Sequence, residues 1–124
     1  MAPDEPKKLV IVATHGIDDP ERATVPLVMA NAALAMEAKV VLVLQSTGVS
    51  IATRGMVEHI FAANFDPAQK LLDSFLEFGG KLLVCIPCLE SRKIPNDMLV
   101  RGAEPVKAGR VVQEMLDADS VVSY

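Results

Sequence analysis

Cys85 and Cys88 are the only cysteines in this sequence of 124 residues, and Pro87 lies between them. The apolar run before them is typical of a buried strand, and the residues after Pro87 are compatible with a helix start. The first turn of a helix presents unpaired N–H groups and the positive end of the helix dipole, and both favour a thiolate over a thiol. Because the thiolate is the reactive form of cysteine, this arrangement predicts sulfur chemistry.

The cysteine pair has three competing interpretations. Each cysteine could be a small buried apolar side chain at a strand end. The Cys-X-X-Cys spacing also matches redox motifs of the thioredoxin type, but an aromatic residue precedes those motifs, whereas Val84 precedes this one. A structural zinc site needs four Cys or His ligands, and His15 and His59 are the only histidines. We therefore expect no metal and no cofactor.

Three polar residues are candidates for supporting a reactive sulfur. His15 follows the first apolar run and could orient a substrate or accept a proton near neutral pH, or it could be a solvated loop histidine. Gln45 ends the second apolar run. Arg92 lies one helical turn beyond Cys88 and could stabilise an anionic sulfur, or it could be an unpaired surface arginine.

The composition argues against several other classes of function. The formal net charge is −4 and there is no basic run, which argues against direct binding of nucleic acid or anionic membranes. The apolar runs are too short for a membrane span or a signal peptide. The glycines form no nucleotide-binding pattern. We therefore expect a cytoplasmic protein whose cysteines are kept reduced.

The elements that must position the cysteines follow from apolar periodicity. The length and the aliphatic composition predict one domain over residues 1–124, with a flexible segment over residues 1–7. Five strands are predicted, at residues 8–14, 39–45, 81–85, 103–106 and 120–123. Helices are predicted at about residues 21–37, 49–60, 68–78 and 107–116. The first helix is apolar on nearly every face, which indicates a subunit interface.

Strands that alternate with helices predict an α/β fold with a parallel sheet and helices on both faces. In such sheets ligands bind beyond the carboxyl ends of the strands. His15, Gln45 and Cys85 each lie at such an end, so we expect them on one edge of the sheet.

A series of segments gives the chain a family likeness, and their order is more specific than any one of them. They are residues 19–24, residues 30–36, Leu44-Gln45 before Gly48-Val49, residues 78–81, residues 85–88 with Arg92, residues 102–104, and a short apolar strand closing on Tyr124. In these segments the chain resembles the DsrE/DsrF-like family, small sulfur-relay proteins that include subunits acting in tRNA thiolation and dissimilatory sulfur oxidation. The likeness covers nearly the whole chain.

The resemblance implies a flavodoxin-like three-layer α/β/α sandwich with a mostly parallel sheet of about five strands. It also implies a homo-oligomer, with a trimer favoured over a hexamer. In the family, a cysteine at the end of the third strand carries a persulfide or passes sulfur onward. Counting back from Arg92 places Cys85 at that position, whereas Cys88 matches an extra Pro-Cys in one branch of the family. Lys93 stands where many relatives have glycine.

We therefore predict a sulfur-relay protein, a sulfurtransferase or sulfur carrier, that holds sulfane sulfur as a persulfide on Cys85 or Cys88. Its partners would be a protein that donates the sulfur and a protein that accepts it. Two alternatives stay open. One is a non-catalytic oligomeric module that binds a small ligand at the edge formed by His15, Gln45 and Cys85. The other is a Cys-X-X-Cys disulfide reductase.

Overall fold

The structure, a computed structural model, describes residues 5–124. Of the segment predicted to be flexible, residues 1–4 lie outside the described residues, and residues 5–7 precede the first strand. Five strands form one sheet: β1 (Lys8–Ala13), β2 (Lys39–Leu44), β3 (Lys81–Cys85), β4 (Ala103–Val106) and β5 (Ser120–Ser123). All neighbouring strands pair in parallel, in the order β4-β3-β2-β1-β5. The predicted α/β sandwich with a five-stranded parallel sheet is therefore confirmed.

Four α-helices cover the sheet: α1 (Pro20–Ala35), α2 (Ala68–Glu77), α3 (Ile86–Ser91) and α4 (Ala108–Leu116). The helix predicted at residues 49–60 is wrong, because two short 3-10 helices, Ser46–Ala52 and Val57–His59, take its place. Between them Thr53 bridges to Leu99 in an extended conformation, and Gly55 has a φ of 90°. Within the described chain, none of the helices is long and apolar enough to cross a lipid bilayer.

Helix α1 begins one residue earlier and ends two residues earlier than predicted. Asp19 caps it by accepting a hydrogen bond from the Arg22 N–H at 3.2 Å, and Pro20 occupies the first turn, where no partner for its nitrogen is needed. The helix continues through Pro26 to Ala35. It ends before Glu37, which has a φ of 67° and cannot continue an α-helix.

The strand order determines which face of the sheet each helix covers. The steps from β1 to β2, β3 and β4 all run in one direction, so their right-handed crossovers lie on the same face. The return from β4 to β5 runs in the opposite direction and places α4 on the other face. The core accordingly has two parts. Ile11, Leu42 and Val84 face α1, α2 and α3, whereas Val10, Val43 and Leu83 face α4.

An ion network holds α4 against the sheet at the amino-terminal ends of the strands. Glu114 is nearly buried, with 10% of its side chain exposed. Its carboxylate lies 2.7 Å from Lys8 Nζ, 2.9 Å from Arg110 Nε and 3.9 Å from Lys81 Nζ. Arg110 also contacts Glu104 on β4 at 2.7 Å. Hydrogen bonding from Lys8 is the main reason that the pKa of Glu114 falls to about 2.

Candidate functional site

The two cysteines lie on one turn of backbone at the carboxyl end of β3. Cys85 is the last residue of β3 and the N-cap of α3, and Cys88 is the third residue of that helix. Residues three apart on a helical turn face the same side. The two side chains accordingly lie close enough for Cys88 to influence the pKa of Cys85, and both are partly buried free thiols.

The loop that follows β2, the neighbour of β3, presents a backbone N–H to Cys88. Ser46, at the start of the 3-10 helix after β2, donates its N–H to Cys88 Sγ at 3.2 Å. Ser46 has a φ of 52°, a conformation that is unfavourable for a residue with a side chain. The sequence pattern did not identify this donor, because a backbone group carries no side-chain signature and only its place beside β3 reveals it.

Arg92 closes the site at the other end of α3. Its guanidinium donates to the Cys88 carbonyl oxygen at 3.2 Å and to Thr47 Oγ1 at 3.3 Å. Lys93 follows with a φ of 55°, and the Ile94 N–H returns to the Leu89 carbonyl at 3.0 Å. This closing turn is the Schellman geometry that usually has glycine, and here lysine adopts it.

The environment of Cys85 differs from the one that the sequence predicts. Burial raises the pKa of the Cys85 thiol above its ordinary value, and the neighbouring Cys88 side chain acts in the same direction. The Cys88 backbone N–H and the charge of Arg92 lower the pKa, but they do not outweigh burial. The expectation that the helix start favours a thiolate is therefore wrong for Cys85. Helix α3 has only six residues, so its dipole is small.

His15 lies at the end of β1, apart from the cysteines. Its Nδ1 lies 2.9 Å from Asp18 Oδ2, and Asp18 Oδ1 accepts the Gly16 N–H at 2.8 Å. Burial acts to raise the pKa of Asp18, but these hydrogen bonds outweigh it and the pKa lies below its ordinary value. His15 lines a cavity of about 330 Å³ whose other walls are Glu21, Arg22, Val25 and Tyr124. Because β2 separates β1 from β3, the ends of these two strands are about 10 Å apart.

Gln45 lies between the two groups and takes part through its backbone. Its N–H donates to the Ala13 carbonyl oxygen at 3.0 Å, and its carbonyl accepts the Gly48 N–H at 2.8 Å. These bonds fix the loop that presents Ser46. The structure thus brings Cys85, Cys88 and Arg92 together with Ser46 and Thr47, and it leaves His15 in a separate cavity.

The sheet topology independently indicates a ligand site at this edge. The helices that follow β3 and β4 lie on opposite faces of the sheet, an arrangement that makes the carboxyl ends of these two strands a topological switch point. Cys85 pairs with Val106 at that point. In open α/β sheets such a switch point is where ligands bind, and Cys85 borders it.

Cys85 and Cys88 are the two potential metal ligands at this site. Across residues 5–124 no three His, Cys, Asp or Glu side chains converge closely enough to hold a metal ion. The arrangement can still perform thiol chemistry, because a sulfur with an N–H donor and a nearby guanidinium can carry negative charge.

Comparisons with known proteins agree with this architecture. The model of the DsrE/DsrF-like family matches residues 7–124. An uncharacterized protein of Methanocaldococcus jannaschii is 31% identical over 97 residues, which cover 78% of this chain and 35% of that protein. The chain thus spans about a third of the length of that relative.

Two solved structures have similar folds. The ychN protein from E. coli has a TM-score of 0.82 and 25% identity, and the match covers 95% of this chain and 99% of that one. A protein of unknown function from Methanobacterium thermoautotrophicum has a TM-score of 0.69 and 17% identity, covering 94% and 98% of the two chains. With the family model matching almost the full sequence, the chain belongs to the DsrE/DsrF-like family.

Proposed function

We propose that this protein is a sulfur carrier that holds sulfane sulfur as a persulfide at the Cys85–Cys88 pair and passes it to a thiol of a partner protein. The observation that carries the proposal is the pair of neighbouring, partly buried free thiols at the end of β3, with the Ser46 N–H and Arg92 beside them. Membership in a family of sulfur-relay proteins supports it. A reducing compartment, the cytoplasm, would keep both thiols free.

The transfer is an exchange of one sulfur atom and needs no external oxidant. A donor persulfide anion (R–S–S⁻) is attacked at its outer sulfur by a cysteine thiol. The donor S–S bond breaks, the donor leaves as R–SH with the thiol proton, and the cysteine becomes Cys–S–S⁻. The Ser46 N–H and the positive charge of Arg92 would stabilise this anionic product. A thiol of the acceptor protein repeats the same exchange.

We expect the protein to gain the mass of sulfur when it is incubated with inorganic polysulfide. The gain should be abolished in the Cys85→Ser/Cys88→Ser double variant and retained in Glu90→Gln, an exposed position on α3 that serves as the matched control. Intact-mass measurement after removal of excess polysulfide gives the result. A wild-type protein with no cysteine-dependent gain of sulfur would disprove the carrier function.

One observation favours a second candidate, a small-ligand module. The cavity beside His15 is fixed by the His15–Asp18 contact and includes Arg22 and Tyr124, but neither cysteine lines it. Such a module needs no reactive thiol. If the polysulfide experiment shows no sulfur uptake, this candidate replaces the carrier.

We also propose that the chain forms a homo-oligomer, a trimer in preference to a hexamer. Phe78 after α2 is 69% exposed and lines the groove between α1 and α2, and Met36 after α1 is 83% exposed. Large exposed apolar side chains next to a groove mark protein contacts.

Light scattering should give a trimer for the wild type and a smaller species for Phe78→Ser. Phe61→Ser, which removes an aromatic ring of similar exposure from a loop, should leave the assembly unchanged. A monomeric wild type would contradict the proposal.

A further inference from the structure

We propose that the amino-terminal edge of the sheet binds a multivalent oxyanion, a short chain of linked phosphates, in a groove lined by Lys8, Lys39 and Lys81. These lysines are the first residues of three neighbouring strands, β1, β2 and β3. The inference does not depend on the carrier function, because Cys85 lies at the opposite end of β3.

The register of the strands places the three lysines on one face of the sheet. Lys39 is the register partner of Lys8, and Lys81 is the partner of Val41, two residues beyond Lys39 on β2. Register partners share a face of the sheet, and so do residues two apart on one strand. Val41 packs in the part of the core that faces α4, so all three lysines lie on the α4 side.

Two of the three ammonium groups meet at a single carboxylate. Lys8 Nζ and Lys81 Nζ lie 2.7 Å and 3.9 Å from the two oxygens of Glu114. β2 lies between β1 and β3, so Lys39 begins the strand between these two lysines. Lys8, Lys39 and Lys81 all line one groove of about 540 Å³. One small ligand in this groove can therefore contact lysines of all three strands.

The positive charge of this groove exceeds the negative charge that the fold supplies there. Glu114 is shared among Lys8, Lys81 and Arg110. Within residues 5–124 Lys39 forms no ion pair, and no acidic residue is among those that line the groove. Like charges on paired residues of neighbouring strands repel each other, so Lys39 opposite Lys8 costs stability. A bound anion removes this repulsion, which gives the lysine cluster a role in binding.

The spacing of the lysines indicates the class of anion. Two strand spacings, together about 10 Å, separate β1 from β3. A chain of linked phosphates presents several negative charges along such a distance, whereas a single phosphate presents them at one point. A lysine ammonium is a point charge on a flexible stem and binds phosphate oxygens without a fixed geometry. Inorganic polyphosphate and nucleoside triphosphates share this chemistry.

Isothermal titration calorimetry of the full chain with inorganic tripolyphosphate, at fixed ionic strength and without divalent cations, tests the site. We expect saturable binding to the wild type. Lys39→Gln and Lys81→Gln should each weaken it by about fivefold or more, because each removes one charge-assisted contact. Lys70→Gln is the matched control, because it removes the same charge from an exposed position on α2. This control should bind as tightly as the wild type.

A urea denaturation of Lys39→Gln separates binding from folding. We expect the variant to unfold at the same urea concentration as the wild type or slightly higher, because its repulsion from Lys8 is removed. Its gain of sulfur from polysulfide should equal that of the wild type. Loss of tripolyphosphate binding with unchanged sulfur gain would support the anion site and leave the carrier function as a separate question.

Inorganic phosphate and a nucleoside triphosphate are titrated in parallel. Both should bind in a way that depends on Lys39, with phosphate weaker than tripolyphosphate. A nucleoside triphosphate that binds more tightly than tripolyphosphate would assign the groove to nucleotides, and equal or weaker binding would assign it to inorganic polyphosphate. Three results would overturn the inference: no saturable binding to the wild type, equal affinity in Lys39→Gln and Lys81→Gln, or equal weakening in Lys70→Gln. The last would show that net charge, and not the groove, determines the affinity.

Discussion

Gly48→Ala is expected to destabilise the protein by about 3–5 kcal/mol, a large fraction of the stability of a domain of this size. Gly48 is buried in the 3-10 helix Ser46–Ala52, where it packs against the end of β1. A methyl group there would lie 2.2 Å from the Ala13 carbonyl oxygen and 2.9 Å from its carbonyl carbon. Both are backbone atoms of a central strand, so no side-chain rotation can relieve the overlap.

Urea denaturation of the wild type and the variant provides the measurement. Gly109→Ala is the matched control. Gly109 lies in α4, and a methyl group there would meet no atom within 4 Å. We expect that control to unfold at the same urea concentration as the wild type or slightly higher, because alanine favours a helix by up to about 1 kcal/mol. If Gly48→Ala changes the free energy of unfolding by less than about 1 kcal/mol, the packing of this helix against β1 is not what the structure describes.

Glu114→Gln should cost about 2–3 kcal/mol, the second large effect that we expect. Glutamine keeps the shape of the side chain but leaves Lys8 and Arg110 facing a neutral amide in a nearly buried position. Helix α4 then loses its main ionic attachment to β1 and β3. Glu104→Gln is the control, because that carboxylate is 50% exposed and contacts only Arg110 in the network. An exposed pair of this kind contributes less than about 1 kcal/mol.

The same carboxylate makes the stability of the protein depend on pH. The folded pKa of Glu114 is about 2, below the ordinary value of 4.5. Its contribution is therefore complete above about pH 4.5 and is lost as the pH falls toward 2. Between pH 5 and pH 3 the wild type should lose more stability than Glu114→Gln, so their urea midpoints should converge. Parallel curves for the two proteins would show that Glu114 does not have a lowered pKa.

The strands could be predicted because their signal is local. β3, β4 and β5 have the predicted bounds, and β1 and β2 end one residue earlier than predicted. Short, continuously apolar runs such as β1, β2 and β3 stand out in any sequence, and five short strands alternating with helical patterns determine the fold class. The prediction for residues 49–60 was wrong because Gly48 packs on β1 and Thr53 bridges to Leu99, and both partners lie far away in the sequence.

The side chains of the site could be predicted from the sequence, but the Ser46 N–H contact and the pKa of Cys85 could not. The sequence identifies Cys85, Cys88 and Arg92 by type and spacing, and it predicts that strand ends share one edge of the sheet. It cannot reveal the Ser46 N–H, because that contact depends on the register between β2 and β3 and on a left-handed backbone conformation. It also missed the raised pKa of Cys85, because burial of a thiol is a property of the packed structure.

The position of the Glu114 network has a consequence for how this protein can change during evolution. The network holds α4 at the amino-terminal ends of the strands, whereas the cysteines lie at their carboxyl ends. A strand of five or six residues separates these edges by about 16–20 Å. Substitutions at that separation usually act independently. Loops at the thiol edge can therefore diverge in sequence while the attachment of α4 preserves the folded state.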